Sequence, residues 1–234
     1  MKNSLHQVNS ISECHSFSGL PLEFGFIGKK NQNELTEKKF YQLKQVHGTK
    51  LVEAPFESSD VPEGDGIYTV KKEVCVSVRT ADCLPILVTD DEASFVMALH
   101  AGWRGLAQGI IGKSFSQLKS SKDFKEKNLR IFLGPCIEKE AFEVGPEVIQ
   151  AFLNGSRGLL EEKLFKTCYR GGLGDRSYFS LKSFAFLSLL SLGVKEKNIS
   201  SLRSCTHHNQ EEWFSYRRDG VPLSGYNWSW INLL

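Results

Sequence analysis

No C-x-x-C pair occurs among the six cysteines, so neither a thioredoxin-like redox motif nor a zinc-ribbon spacing is present. Long hydrophobic runs are missing too. The greasiest stretch, Phe184 to Val194, is broken by Ser188 and Ser191 and falls well short of the roughly 20 apolar residues that cross a bilayer. Met1-Lys2-Asn3-Ser4 runs into polar residues with no apolar signal core behind it, so export is not expected and the reading is a cytoplasmic protein. Nor is there an excess of charge of one sign. The 29 basic and 27 acidic residues leave +2 and alternate along most of the chain, which gives no electrostatic footprint for nucleic acid or a membrane surface. No internal repeat or low-complexity linker marks a domain boundary.

What is present is an ordinary globular composition, 41% apolar and 24% charged over 234 residues. At about 150 residues per domain that length allows one large domain or two small ones, and with no linker in view a single domain over 1–234 is expected. A chain of this size buries nearly three quarters of its extended surface without covalent staples. Cys14, Cys75, Cys83, Cys136, Cys168 and Cys205 are therefore read as reduced thiols, most of them small core residues.

Apolar, β-branched runs at Val74–Val78, Leu84–Thr89 and Phe95–His100 predict strands, the last two joined as a hairpin at Asp90-Asp91-Glu92. His100 leads through Ala101-Gly102-Trp103-Arg104-Gly105 into Leu106–Lys119, whose apolar residues follow a helical period. Leu129–Leu133 is a further strand, and Gly145-Pro146-Glu147 opens a helix through about Phe152 with proline in its first turn. Ser180–Leu192 reads as a mostly buried helix whose serines are packing positions, and Glu212–Tyr216 and Trp228–Asn232 read as closing strands. The expected class is α/β, with α+β as the alternative, built on one mixed sheet flanked by helices.

Of six histidines, two stand where a site can form. His47 lies in Gln45-Val46-His47-Gly48, and His100 ends an apolar strand just before a glycine turn into a helix, the kind of strand end where ligands collect in α/β sheets. Cys83, in Arg79-Thr80-Ala81-Asp82-Cys83-Leu84-Pro85, sits in the join between two strands of the same sheet. Imidazole and thiolate together suit zinc, and three protein ligands leave the fourth tetrahedral position open, as in catalytic sites. Spacings of 36 (83 − 47) and 17 (100 − 83) match no local zinc motif, so on these residues alone a capped or turn histidine beside glycine is the stronger reading.

Six segments change the balance: Gln45–Gly48, Thr80–Pro85, His100–Gly105, Gly134–Ile137, Phe142–Gly145 and Phe214–Arg218. In this order they resemble the laccase-domain family, also called multicopper polyphenol oxidoreductases, over about Val46 to Tyr216. The resemblance implies a single α/β domain with zinc held by His47, Cys83 and His100. It also implies a purine nucleoside phosphorylase with adenosine deaminase and methylthioadenosine phosphorylase activity, whose partners are a purine nucleoside and phosphate. Phosphorolysis needs a cationic anchor for phosphate, and Arg104, Arg217 and Arg218 are the candidates. Arg104 is expected in catalysis, Arg217 and Arg218 in substrate binding. Asp82 is expected either to shuttle protons or to orient a histidine ligand.

The copper-oxidase name carries its own expectation, a copper-dependent phenol oxidase. His47, Cys83 and His100 with Met97 nearby form a blue-copper recipe, but Met97 and His100, three residues apart, face opposite sides of a strand. Six scattered histidines also cannot furnish an oxygen-reducing cluster. A third reading is a zinc-binding member with reduced catalysis that acts through interactions; no motif identifies a protein partner. The His-x-Glu and Pro-Cys-x-x-Cys signature of the cytidine-deaminase type is absent. His207 and His208 are poor candidates for extra ligands, since the resembling segments call for no histidine there. Three departures stand out. Gly28–Asn33 replaces a glycine-rich loop and a following Ser-Leu-Asn segment, so part of the pocket wall is expected to be missing; Ser180 stands where relatives carry aspartate; and Gly225-Tyr226 stands where they carry Thr-Gly-Arg.

Overall fold

A computed structural model describes residues 5–9, 15–36, 39–56, 60–120, 123–155 and 162–234. In chain order the elements are β1 (His6–Val8), β2 (Leu22–Ile27), β3 (Phe40–Tyr41), β4 (Leu51–Glu53), β5 (Gly66–Thr69), β6 (Cys75–Thr80), β7 (Leu84–Asp90) and β8 (Val96–Ala101). There follow α1 (Trp103–Ala107), α2 (Ile110–Lys119), β9 (Leu129–Leu133), β10 (Glu143–Val144), α3 (Pro146–Gly155), α4 (Glu162–Phe165), β11 (Tyr169–Gly171) and β12 (Ser177–Phe179). The chain closes with α5 (Leu181–Ser191), β13 (Ile199–Leu202), α6 (Tyr216–Asp219) and β14 (Asn227–Leu233).

The class is mixed α/β, as the strand and helix order implies, but the strands among the described residues lie in three sheets rather than one. A seven-stranded mixed sheet runs β1-β13-β9-β7-β8-β5-β4, a four-stranded one β2-β14-β6-β3, and a three-stranded antiparallel one β10-β12-β11. The predicted hairpin is present, with Ile86 opposite Leu99 and Leu84 opposite Ala101. Every residue of β7 and β8 is buried, and their two faces serve two cores. Leu84, Ile86, Val88, Met97, Leu99 and Ala101 pack with the helices, whereas Leu87, Val96 and Ala98 pack with β6 and β14 of the four-stranded sheet. Burial on both faces is why these strands read as continuous apolar runs instead of alternating ones.

Local chemistry departs from the sequence pattern in two places. The single helix expected over 106–119 is two, because Gly109 adopts a left-handed backbone at φ +81° between α1 and α2, a conformation that L side chains resist. Glu212–Tyr216 is not a strand. The Asn227 side chain takes up both backbone groups of Phe214, at 2.9 and 2.8 Å, in place of a ladder, and Ser215 then caps α6 by accepting from the Arg218 N–H. Helix α5 is buried as predicted. Ser180 is its N-cap, and Ser188 and Ser191 bond back to the carbonyls of Phe184 and Leu187. No helix among the described residues is long and apolar enough to cross a membrane.

Candidate functional site

His47 stands at φ +59° in the loop before β4, a left-handed turn that a non-glycine residue keeps only when its surroundings hold it. They do so through Asp65, which lies between Gly64 and Gly66 at the head of β5. Its carboxylate accepts the backbone N–H groups of Val46 (3.2 Å), His47 (2.9 Å) and Gly48 (2.7 Å). The same carboxylate bonds Nδ1 of His100 at 2.7 Å, and its carbonyl accepts the His100 N–H. One fully buried aspartate thus fixes both histidines, and with Nδ1 engaged it leaves Nε2 of His100 for another partner. Gly64 and Gly66 belong to this arrangement, since a Cβ on Gly66 would come within 2.8 Å of Leu99 and one on Gly64 within 3.1 Å of the Lys50 carbonyl.

Cys83 arrives from the turn between β6 and β7, where Asp82 takes φ +91°. Its Sγ lies 4.0 Å from Nε2 of His47, the two imidazoles are 4.8 Å apart, and the three ligand atoms all lie within 4.8 Å of one another. Ligand bonds of about 2.0–2.3 Å set donors roughly 3.5 Å apart across a tetrahedral ion, so this cluster fits a metal with slight closure. Gly102 leaves the room: a Cβ there would sit 3.0 Å from the Cys83 sulfur and 3.1 Å from Cδ2 of His47.

The electrostatics single out the same thiol. Burial alone would push the Cys83 thiol up, but the facing His100 and His47 imidazoles outweigh it and bring it down to about 6. Burial likewise favours neutral His100, yet the Cys83 thiolate and Asp65 raise it to about 9. Without a metal the pair is a thiolate and an imidazolium, so a divalent ion meets a ready thiolate and displaces one imidazolium proton. The buried Cys168, by contrast, is pushed up to about 12, and Cys136 is raised well above the ordinary thiol range. Cys75, Cys136, Cys168 and Cys205 are buried thiols outside any disulfide, as read from the sequence, and Cys14 lies outside the described residues.

The cluster opens onto a cavity of about 980 Å³. Arg104 lines it from α1 with its guanidinium 4.3 Å over the Trp103 ring. Arg217 lines it too, donating to the Glu143 carbonyl at 2.9 Å and lying over Phe142. Arg218 does not. Expected in substrate binding, it lies outside the cavity lining and donates to the carbonyls of Thr206, His207 and Trp213 and to the Asp219 carboxylate. Asp82 borders the cavity, where one oxygen accepts the Thr206 hydroxyl and the other the Arg217 N–H, both at 2.7 Å. It does not orient a histidine, a task that falls to Asp65. His207 and His208 pack against each other, outside the His47–Cys83–His100 cluster. No described residue before Lys44 lines the cavity, in keeping with the short Gly28–Asn33 segment.

Sequence reasoning missed Asp65, whose one local signal was an aspartate between two glycines, and it missed Arg79. Arg79 lines the cavity from β6 and stacks on Tyr226 and Trp228.

Comparison with known proteins agrees with this geometry. The family described as multi-copper polyphenol oxidoreductase laccase matches residues 29–234. A Haemophilus influenzae protein named purine nucleoside phosphorylase is 34% identical over 179 residues, 76% of this chain and 68% of its own length. The Shigella flexneri purine nucleoside phosphorylase YfiH is 33% identical over 193 residues, 81% and 72% of the two chains. Among solved structures, Neisseria meningitidis NMB0706 superposes with a TM-score of 0.75 at 31% identity, covering 86% of this chain and 77% of its own. Geobacillus stearothermophilus YlmD shares the fold with a TM-score of 0.80 at 22% identity, over 94% and 93% of the two chains. With a match over most of its length and a His-Cys-His cluster at the head of its cavity, the chain belongs to the multi-copper polyphenol oxidoreductase laccase family.

Proposed function

We propose that the protein is a zinc-dependent purine nucleoside phosphorylase that also deaminates adenosine and cleaves methylthioadenosine. The observation that carries this reading is the convergence of His47, Cys83 and His100 at one end of a cavity that also holds arginine side chains. Relatives bearing the name purine nucleoside phosphorylase support the substrate class. Zinc bound by the three residues would supply a Lewis acid able to activate a nucleophile near neutral pH.

The chain's own residues divide the remaining work. Asp65 fixes the two imidazoles. Arg104 holds the phosphate, its guanidinium face against Trp103 leaving the N–H edge for two phosphate oxygens. Arg217, placed by Asp82 through its backbone N–H, contacts the nucleoside beside Phe142. Zinc is favoured over copper because Met97 packs into the helix-side core on the face of β8 opposite His100, so a blue-copper set lacks its axial thioether.

Metal analysis of the purified protein, followed by inosine and adenosine assays with and without phosphate, tests the reading. One zinc per chain, phosphate-dependent release of the purine base, and loss of the metal in Cys83→Ala are expected. Arg104→Ala should lower turnover about 10- to 150-fold, the worth of a charge-assisted contact made in the transition state. Bound copper with oxygen uptake on phenols would replace this reading by the oxidase. Bound zinc without turnover of any purine nucleoside would replace it by a catalytically reduced member.

A further inference from the structure

Two guanidinium groups in the cavity, those of Arg79 and Arg104, have no carboxylate partner among the described residues. The other cations are engaged, Lys44 by Glu63 at 2.9 Å and Arg217 by the Glu143 carbonyl. The one carboxylate in the wall, Asp82, has both oxygens in use. Phosphorolysis brings a single free anion, assigned above to Arg104; Arg79 is a further cationic group in the wall with no anionic partner among the described residues.

Arg79 is held as a binding group is held. Its backbone N–H and carbonyl are clamped by the Gln45 amide at 2.8 and 2.7 Å, in the loop that carries His47. Trp228 faces it across the β6–β14 ladder, and its guanidinium carbon lies 5.6 Å from that ring and 5.4 Å from the Tyr226 ring. Both rings lie within cation–π reach of the guanidinium, and its side-chain N–H groups donate to no described residue, which leaves them for a phosphoryl group. At about 980 Å³ the cavity lies at the upper end of the roughly 300–1,000 Å³ typical of small-molecule sites. It has room beyond a nucleoside and one phosphate.

We propose that Arg79, braced by Tyr226 and Trp228, binds a phosphoryl group carried by the nucleoside itself, so that the preferred substrate class is a purine nucleoside monophosphate. The inference rests on the nucleoside reading and sharpens it. It is tested by titration calorimetry on the metal-loaded protein at fixed salt, with adenosine, adenosine 5′-monophosphate and inorganic phosphate as probes. The monophosphate should bind at least about tenfold more tightly than adenosine, the worth of one charge-assisted contact. That ratio should collapse toward one in Arg79→Gln and fall partway in Arg79→Lys and Tyr226→Leu, with thermal melting confirming that each variant is folded. A monophosphate bound no better than adenosine overturns the proposal while leaving the nucleoside reading intact. A ratio that persists in Arg79→Gln while inorganic phosphate binding is lost assigns Arg79 to the free co-substrate and also overturns it. Binding of neither adenosine nor its monophosphate removes both readings together.

Discussion

Replacing Asp65 by Asn keeps the side chain's size but removes its charge and turns one of its two acceptor oxygens into a donor. Oδ1 faces His100 Nδ1 and the His47 N–H, and Oδ2 faces the N–H groups of Val46 and Gly48. With its NH2 toward Val46 and Gly48 the amide meets two donors; turned the other way it meets the His47 N–H, and the His100 Nδ1–H as well unless that ring moves its proton to Nε2. Each buried donor left unpaired costs about 1–3 kcal/mol, and water reaches the Val46 and Gly48 side more easily, so a net loss of roughly 2–4 kcal/mol is expected. For a chain of this size that is a fall of about 4–16 °C in melting temperature.

The effect has a pH signature. Burial raises the Asp65 carboxyl, but the His100 hydrogen bond and the Gly48 and Val46 N–H groups outweigh it and hold it below the ordinary range. A depressed carboxyl contributes stability above its unfolded value, about 3.9, and loses it as the pH falls through the folded value. The gap between wild type and Asp65→Asn should therefore be widest near neutrality and close in acid. Urea unfolding at several pH values, with metal content measured alongside, is the assay. A variant that unfolds within 0.5 kcal/mol of wild type at pH 7 and keeps its metal would show that the histidines are held by something other than this carboxylate.

Three further outcomes are expected. Gly102→Ala, in an extended conformation that alanine adopts freely, should crowd Cys83 and His47 and cost about 1–3 kcal/mol of overpacking, read as a 5- to 150-fold loss of zinc affinity in competition with a chelating dye; unchanged affinity refutes the crowding. In metal-free protein, iodoacetamide should alkylate Cys83 with an inflection at about pH 6, since the depressed thiol is a thiolate above that value and protonates below it; an inflection near 9 would mean that His100 is not charged beside it. Arg218→Ala should lose about 2–4 kcal/mol of stability with little change in nucleoside KM, because its hydrogen bonds go to the carbonyls of Thr206, His207 and Trp213 and to the neighbouring Asp219 carboxylate; a raised KM without loss of stability would return Arg218 to the substrate.

Much of this protein is legible along the chain where a local signal and the tertiary answer share one cause. β7 and β8 are apolar throughout because they are buried on both faces, and that same requirement writes the runs at 84–89 and 95–100. His47, Cys83 and His100 stood out because imidazole and thiolate at strand ends carry metal chemistry whatever surrounds them. What the sequence could not supply was decided by contacts between distant segments. Asp65 reaches His100 across 35 positions, and Thr206 reaches Asp82 across 124, so no window of sequence holds both partners. Arg217 and Arg218 are adjacent and chemically identical, yet one lines the cavity and the other bonds the carbonyls of Thr206, His207 and Trp213, partners supplied by a loop that only the fold brings beside it. Residue type and strand-end position singled out His47, Cys83 and His100 as candidate metal ligands; the packing of β5, β6 and β14 around them decided which carboxylate holds the histidines and which arginines share the cavity.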